Sequence, residues 1–157
     1  MRFFLIDKIS RWEVGALAEG IKNVALSEDF FDDHFPMKPI MPAVLIIEGM
    51  AQLSGLLIEE GVRKESRRNV KALMSIIEKA KFRRPVYPGD KLVYDAEIGS
   101  VNELGGRANV KARVDGELVT ECGFVFTFHE FHHPQLESRR SEILSLWLKG
   151  HHSYGTE

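Results

Sequence analysis

His34 and Glu48 are the two side chains best suited to acid–base chemistry in this sequence. A histidine changes charge near neutral pH and can take a proton from a reacting carbon. Glu48 is the one charged residue in the apolar stretch 43–58, where burial is expected to raise the pKa of its carboxyl and keep it protonated. Gln52 follows one helical turn later on the same face. This pattern predicts that two ionisable side chains lie at one site, with an amide beside the carboxylate.

The residues before and within the apolar stretch predict how these groups are positioned. Prolines fix their own φ and favour an extended conformation in the residue before them, and three of them precede the stretch: Pro36, Pro39 and Pro42. The last can start a helix, because its missing N–H would be unpaired there anyway. We expect a buried helix over 43–58, about 24 Å long, stopped by Gly61. His34, Glu48 and the helix N-terminus then reach a common place.

Two alternatives stay open on these residues alone. His34 next to Phe35 is also compatible with a structural histidine whose hydrogen bonds are satisfied. Glu48 is also compatible with a solvated position on a partly exposed helix, although no charge accompanies it between positions 43 and 58.

The stretch HFPMKPIMPAVLIIEGMAQ, residues 34–52, resembles the signature of the β-hydroxyacyl-acyl carrier protein dehydratases of fatty acid synthesis. The similarity covers roughly residues 3 to 130. It continues in FLIDKI at 4–9, IKNV at 21–24, FFDDHFP at 30–36 and KFRRPVYPGDKL at 81–92.

The resemblance implies an α+β hot-dog fold, in which a curved antiparallel sheet wraps a long central helix. It places this domain at residues 1–133 and leaves 134–157 as a C-terminal extension, helical and then frayed. It assigns the catalytic roles to His34 and Glu48, contributed by different subunits of a homodimer or dimer-based oligomer. Substrate binding falls to Phe35, Pro42, Ala43 and Gln52.

The implied reaction is dehydration of a 3-hydroxyacyl thioester to a trans-2-enoyl thioester, without cofactor or metal. His34 would take the C2 proton, Glu48 would protonate the departing hydroxyl, and the backbone N–H of residue 43 would polarise the thioester carbonyl. The family usually has glycine where this chain has Asp33, Met37 and Ala43. Two alternatives follow: a hot-dog thioesterase in which Glu48 activates water, and a non-catalytic acyl-binding or partner subunit.

The most basic stretch of the chain is RKESRRNVK, residues 63–71. By resemblance, the acidic partner that it would dock is acyl carrier protein, which delivers the substrate. A solvated surface loop is the alternative. The candidate docking residues are Arg63, Lys64, Arg67 and Arg68, with Arg83 and Arg84 joining the same patch.

Periodicity predicts the remaining elements. A short strand or an entry segment is expected at 1–9. Strands are expected in two pieces within 12–26, at 70–84, where a helix is the alternative, and at 91–101, 108–114 and 118–131. Residues 27–33 are predicted to form a turn or a single helical turn, with Ser27 as the candidate N-cap. Turns are predicted at Gly105–Gly106 and Asp115–Gly116. A helix is predicted over 138–149, and 151–157 is expected to fray.

Composition narrows the function classes. A net charge of −2 gives no reason to expect nucleic acid as a partner. The single cysteine, Cys122, allows no internal disulfide and is typical of a reducing cytoplasm; we expect it to be a buried small hydrophobe. The sequence shows neither a signal peptide nor an apolar run of about 20 residues. His129, His132 and His133 lack the spacing of a zinc site.

Overall fold

The structure is a computed structural model that describes residues 3–130 and 132–149. Its elements in chain order are β1 (Lys8–Glu13), β2 (Leu17–Asn23), a short 3₁₀ helix (Asp29–Phe31), α1 (Ala43–Ser66), β3 (Val70–Phe82), β4 (Lys91–Val101), β5 (Gly105–Val114), β6 (Glu117–Glu130) and α2 (Pro134–Leu148). The strands form one antiparallel sheet with the order β1-β2-β4-β5-β6-β3. Helix α1 contacts β2 to β6, so the sheet is organised around it.

The contact between α1 and the sheet forms the hydrophobic core. Met50, Leu53 and Leu57 on α1 are completely buried, as are Leu92 and Tyr94 on β4. Each large apolar side chain buried in this way stabilises the fold by about 1.5–3 kcal/mol. The apolar stretch of the sequence is therefore the central helix, as predicted.

Helix α1 extends beyond the predicted stop at Gly61 and ends at Ser66, with Arg67 in the left-handed conformation at φ 56°. The prediction was wrong because Gly61 serves packing rather than termination. A Cβ at Gly61 would lie 2.7 Å from the Cα of Gly15, in the turn between β1 and β2. The helix continues because glycine lets the two backbones approach closely.

The hairpin between β5 and β6 confirms the predicted Asp115–Gly116 turn, in which both residues have positive φ, 50° and 79°. The predicted turn at Gly105–Gly106 is wrong, because both glycines lie within β5. A Cβ on Gly105 would sit 2.1 Å from the carbonyl oxygen of Phe126, so glycine permits close strand pairing there. The chain turns just before Gly105. There the side-chain oxygen of Asn102 accepts hydrogen bonds from the backbone N–H groups of Leu104 and Gly105.

Of the two alternatives for the N-terminus, the structure has the entry segment, since residues 3–7 form no strand. The first strand is Lys8–Glu13 and the second is Leu17–Asn23. Leu5 is buried, but its N–H donates to the side chain of Gln52 instead of a strand ladder. The helical turn at 27–33 is present as the 3₁₀ helix, but Ser27 does not cap it; Glu28 occupies the N-cap position.

Strand β3 forms one edge of the sheet and exposes an unusual amount of apolar surface. Among the strands formed by residues 3–130 and 132–149, its only hydrogen-bonded neighbour is β6. Beyond Ala72 the apolar side chains are between 41% and 50% exposed: Leu73, Met74, Ile76, Ile77 and Phe82. An apolar edge strand of this length is typical of a surface that another chain covers.

Helix α2 begins at Pro134, four residues before the predicted start, with the proline in the first turn, where it needs no N–H partner. It packs on β1, at the opposite edge of the sheet from β3. Trp147 is buried and meets the ring of Phe4 edge-on, with 6.1 Å between the centroids. The predicted fraying of 151–157 lies outside the described residues. Of the helices that are described, neither is long and apolar enough to cross a membrane.

Candidate functional site

His34 lies in the loop between the 3₁₀ helix and α1, and this loop is closed by hydrogen bonds with Ile40. The backbone N–H of Ile40 donates to the carbonyl of His34 at 3.0 Å. The Nδ1 atom of the imidazole pairs with the carbonyl oxygen of Ile40 at 2.8 Å. A carbonyl can only accept, so Nδ1 carries the hydrogen. In the neutral ring Nε2 then has a free lone pair and can take a proton.

The His34 cavity has a volume of about 380 Å³ and also contains the first residue of α1, Ala43. Pro42 is the N-cap residue, and the first helical hydrogen bonds are those that Leu45 and Ile46 donate to its carbonyl. The N–H groups of Ala43 and Val44 therefore have no partner within the helix. The cavity thus combines a proton acceptor with N–H groups that suit a developing negative charge.

Phe35 stacks on the imidazole of His34, with 4.1 Å between the ring centroids, and is itself 51% exposed. The ring covers one face of the imidazole. Asp33 and Met37, the other departures from the family pattern, are exposed and do not line the His34 cavity. These two departures therefore do not alter its lining.

Glu48 lies on α1 and is half-buried, so the expectation of a fully buried carboxylate was wrong. Gln52 donates from Nε2 to Glu48 Oε1 at 3.1 Å, as the one-turn spacing predicted. The amide of Gln52 is held in turn by the backbone of the N-terminal segment: it donates to the carbonyl of Phe3 and accepts from the N–H of Leu5. This arrangement occupies Oε1 of Glu48 and leaves Oε2 available for the site.

The structure does not bring His34 and Glu48 of one chain into one cavity. Glu48 and Gln52 line a second cavity, of about 580 Å³, that includes neither His34 nor Ala43. Within one chain the predicted common place therefore holds the histidine and the helix N-terminus but not the carboxylate. This separation agrees with the expectation that the two catalytic groups of one site come from different subunits.

Most residues that line the two cavities were not predicted from the sequence. Phe82 and Val86 contribute to the His34 cavity. One face of α2 contributes to the Glu48 cavity, through Leu136, Arg140, Ile143 and Trp147. These residues have the spacing i, i+4, i+7 and i+11, which indicates that they share one face of a helix. The helix was predicted to start at residue 138, too late to include Leu136.

The fully buried carboxylate of α1 is Glu59, which is 2% exposed and also lines the Glu48 cavity. It accepts a hydrogen bond from the backbone N–H of Ala72 at 2.9 Å and forms ion pairs with Lys71 and Arg140. These partners belong to β3 and α2. Glu59 therefore joins three elements, and its charge is compensated within the fold.

The predicted carrier-docking residues form two groups instead of one patch. Arg63 and Lys64 belong to the last turn of α1, with Arg67 and Arg68 directly after it, rather than to a loop. Arg83 and Arg84 follow the far end of β3, a strand of 13 residues, which at about 3.3 Å per residue separates the groups by about 40 Å. Only the second group lines the His34 cavity.

Most of these arginines already have acidic partners. Arg68 pairs with Glu130, Arg83 with Glu121 and Arg84 with Glu117. Arg63 donates to the side chain of Asn69. Lys64 and Arg67 are exposed and form no ion pair with the rest of the described chain.

Cys122 is buried on β6, and burial raises the pKa of its thiol to about 12. The predicted role as a small hydrophobe is confirmed, because a thiol with this pKa stays neutral and is a poor nucleophile. Across 3–130 and 132–149, no three His, Cys, Asp or Glu side chains come together in a way that could hold a metal ion.

Comparison with known proteins gives the same fold and one family. Two solved structures share the hot-dog fold: an uncharacterized protein of Pyrococcus horikoshii (TM-score 0.63, 22% identity, 82% of this chain and 87% of that one) and the dehydratase heterocomplex ApeI:P of Xenorhabdus doucetiae (TM-score 0.59, 20% identity, 76% and 96%). At these identities they establish the fold alone, which confirms the expected α+β hot-dog architecture.

Sequence relatives are much closer than these structures. The 3-hydroxyacyl-acyl-carrier-protein dehydratase FabZ of Chlamydia pneumoniae is 45% identical over 126 residues, 79% of this chain and 81% of its own. The FabZ dehydratase of Geotalea uraniireducens is 43% identical over 129 residues, 82% of this chain and 88% of its own. The family model described as the FabA-like domain matches residues 1–123. With the His34 loop, the Glu48–Gln52 pair and the central helix all inside that match, the chain belongs to the FabA-like family.

Proposed function

We propose that this protein is a hydro-lyase that dehydrates 3-hydroxyacyl thioesters, carried by acyl carrier protein, to trans-2-enoyl thioesters in fatty acid synthesis. The observation that carries the proposal is the fixed tautomer of His34. Its Nδ1–H donates to the carbonyl of Ile40, so Nε2 is the unprotonated nitrogen that can act as the base. FabZ relatives named as dehydratases of this substrate class support the same reaction.

The proposed steps use three groups of the chain. Nε2 of His34 takes a proton from C2 of the substrate while the N–H groups at the start of α1 stabilise the negative charge on the thioester oxygen. Protonated Glu48 gives its proton to the hydroxyl on C3, which leaves as water as the C2–C3 double bond forms. Gln52 holds the carboxyl of Glu48 in position. A proton returns from the imidazolium to Glu48, through solvent or product water, before the next turnover.

One site needs two chains in this proposal. Glu48 and His34 line separate cavities in a single chain, and β3 exposes apolar side chains along a free sheet edge. Pairing of two chains by a two-fold axis at this edge would cover both β3 strands and supply the missing group to each site. The working unit is therefore a homodimer or an assembly of such dimers.

Docking of the carrier protein is assigned to the basic residues near the His34 cavity. Arg83 and Arg84 line that cavity, so an acidic carrier bound to them would deliver its thioester directly to the histidine. The group formed by Arg63, Lys64, Arg67 and Arg68 lies at the other end of α1 and is a second contact surface for the carrier.

The proposal is tested by product analysis with His34→Ala and Glu48→Gln. Each variant should lose about 10²-fold or more in turnover, the usual contribution of a positioned acid or base. His129→Ala and Glu97→Gln, at exposed positions of β6 and β4 that line neither cavity, are the matched controls and should retain activity.

The same assay separates the competing functions. Enoyl formation from a 3-hydroxyacyl thioester identifies the dehydratase, and release of free thiol identifies a thioesterase. Near-native turnover in folded His34→Ala or Glu48→Gln protein would contradict the assigned roles. Absence of both products at every chain length would indicate a non-catalytic subunit.

A further inference from the structure

Helix α2 provides a wall of the Glu48 cavity, and this wall is absent from the part of the chain that the family shares. The family match ends at residue 123, whereas α2 begins at Pro134. Leu136, Ile143 and Trp147 on α2 line the cavity together with Leu56 of α1 and Phe126 of β6. We propose that α2 forms the end of an acyl-chain pocket and determines which chain lengths the enzyme accepts; this inference rests on the proposed function.

The place of Glu48 gives the reason for an acyl chain in this cavity. In the proposed reaction Glu48 acts on the C3 hydroxyl, so the carbon chain beyond C3 must continue into the space next to this carboxyl. That space is the Glu48 cavity, whose surface is mostly apolar and whose volume of about 580 Å³ is typical of a small-molecule pocket. An apolar chain gains free energy for each methylene that it buries there.

The charged groups in this cavity do not oppose an apolar occupant, because the most buried of them are paired with one another. Glu59 binds Lys71 and Arg140. Arg140 also donates to the side chain of Asn69 at 2.8 Å and to the carbonyl of Val70 at 3.2 Å. Burial of an acyl chain beside Glu59 and Arg140 therefore leaves neither of these two ions without a partner.

The wall is also held firmly enough to set a length. Arg140 ties the middle of α2 to α1 and to the start of β3. Trp147 anchors its C-terminal end against Phe4. Because these contacts hold α2 at its middle and at its C-terminal end, we expect a longer acyl chain to meet the helix rather than displace it.

A matched pair of leucines on α2 allows a direct test. Leu136 is 47% exposed and lines the cavity, whereas Leu146 is 55% exposed and does not. Leu136→Trp should shorten the pocket, and Leu146→Trp adds the same bulk outside it. Leu136→Ala, which removes bulk, is the second cavity variant and keeps the test available if the tryptophan disturbs folding.

The readout is the binding of straight-chain butanoyl and dodecanoyl amides, which the enzyme can neither dehydrate nor hydrolyse. Leu136→Trp should weaken dodecanoyl binding by more than about tenfold, since each buried methylene contributes about fourfold. Butanoyl binding should change less than about twofold. Leu136→Ala should leave dodecanoyl binding intact or improve it, and Leu146→Trp should match the parent protein with both ligands.

Equal effects of Leu136→Trp on both amides, or the same effect from Leu146→Trp, would overturn the inference. So would conversion of a dimer into a monomer by Leu136→Trp without any length dependence, because the cavity would then be occupied by the partner subunit. Light scattering measures that outcome. A parent protein that is inert on all 3-hydroxyacyl thioesters would refute the proposed function. The role of α2 would still be tested, because the binding measurements do not require turnover.

Discussion

His34 and Glu48 of one chain line two different cavities, although both flank the first two turns of the same helix. His34 shares its cavity with Ala43, at the first position of α1, and Glu48 shares the other with Gln52. Under the proposed function each chain therefore presents two half-sites, and a complete site combines the histidine of one chain with the carboxylate of another.

This arrangement predicts complementation between inactive variants. Mixed His34→Ala and Glu48→Gln proteins form mixed dimers in which one of the two sites keeps both functional groups. Random exchange of equal amounts should therefore restore about a quarter of the native sites. The measurement is turnover before and after subunit exchange, with exchange followed by mass. Exchange without any recovery of activity would show that the site lies within one chain.

Carrier docking predicts different consequences for the two basic groups. Arg83→Gln with Arg84→Gln should raise KM for a carrier-bound substrate and hardly change KM for a short free thioester. The effect should shrink with added salt, since exposed charges are screened beyond about 8–10 Å at physiological ionic strength.

Lys64→Gln with Arg67→Gln provides the comparison, because these residues lie more than about 30 Å along α1 from Ala43, at about 1.5 Å per residue. We expect a smaller rise in KM for the carrier-bound substrate. If KM changed equally for the carrier-bound and the free substrate in both double variants, the proposed docking role would be contradicted.

Ala43, where the family usually has glycine, is expected to narrow the site rather than inactivate it. Ala43 is the first residue of α1, where φ is negative and alanine is more stable than glycine by up to about 1 kcal/mol. It keeps the same backbone N–H. Ala43→Gly should change the relative turnover of acyl substrates, with less than about a tenfold change, or 1.4 kcal/mol, on the best one. An inert native protein that Ala43→Gly activates would contradict this expectation.

The ion pair between Glu59 and Arg140 predicts that α2 contributes to stability. Arg140→Met removes a hydrogen bond to a buried carboxylate, and should lower the free energy of unfolding by about 1.5–3 kcal/mol. Glu59→Gln combined with Arg140→Met should cost less than the sum of the two single changes, because each single change already removes the interaction that the two residues share. Urea denaturation of the four proteins measures this coupling. Additive losses would mean that the pair contributes nothing.

Local sequence patterns determined much of the secondary structure of this protein. The apolar run after Pro42 specified a buried helix. The alternation in 91–101 specified strand β4 with its predicted limits, and Asp115–Gly116 specified a hairpin, since the residues that decide these elements are neighbours along the chain. The motif at 34–52 likewise singled out His34, Glu48 and Gln52 as candidate site residues, and the spacing of the last two alone predicted their hydrogen bond.

Tertiary structure decided the features that depend on residues far apart in the chain. Gly61 does not end α1, because it packs against Gly15. Gly105 does not form a turn, because its backbone lies against that of Phe126 on the paired strand β6. Burial of the carboxylates followed the same rule: Glu59, which no local signal distinguished, is buried because β3 and α2 supply its partners. The division of His34 and Glu48 between two cavities is likewise set by how the whole sheet and α2 surround the helix, which spacing within one motif does not encode.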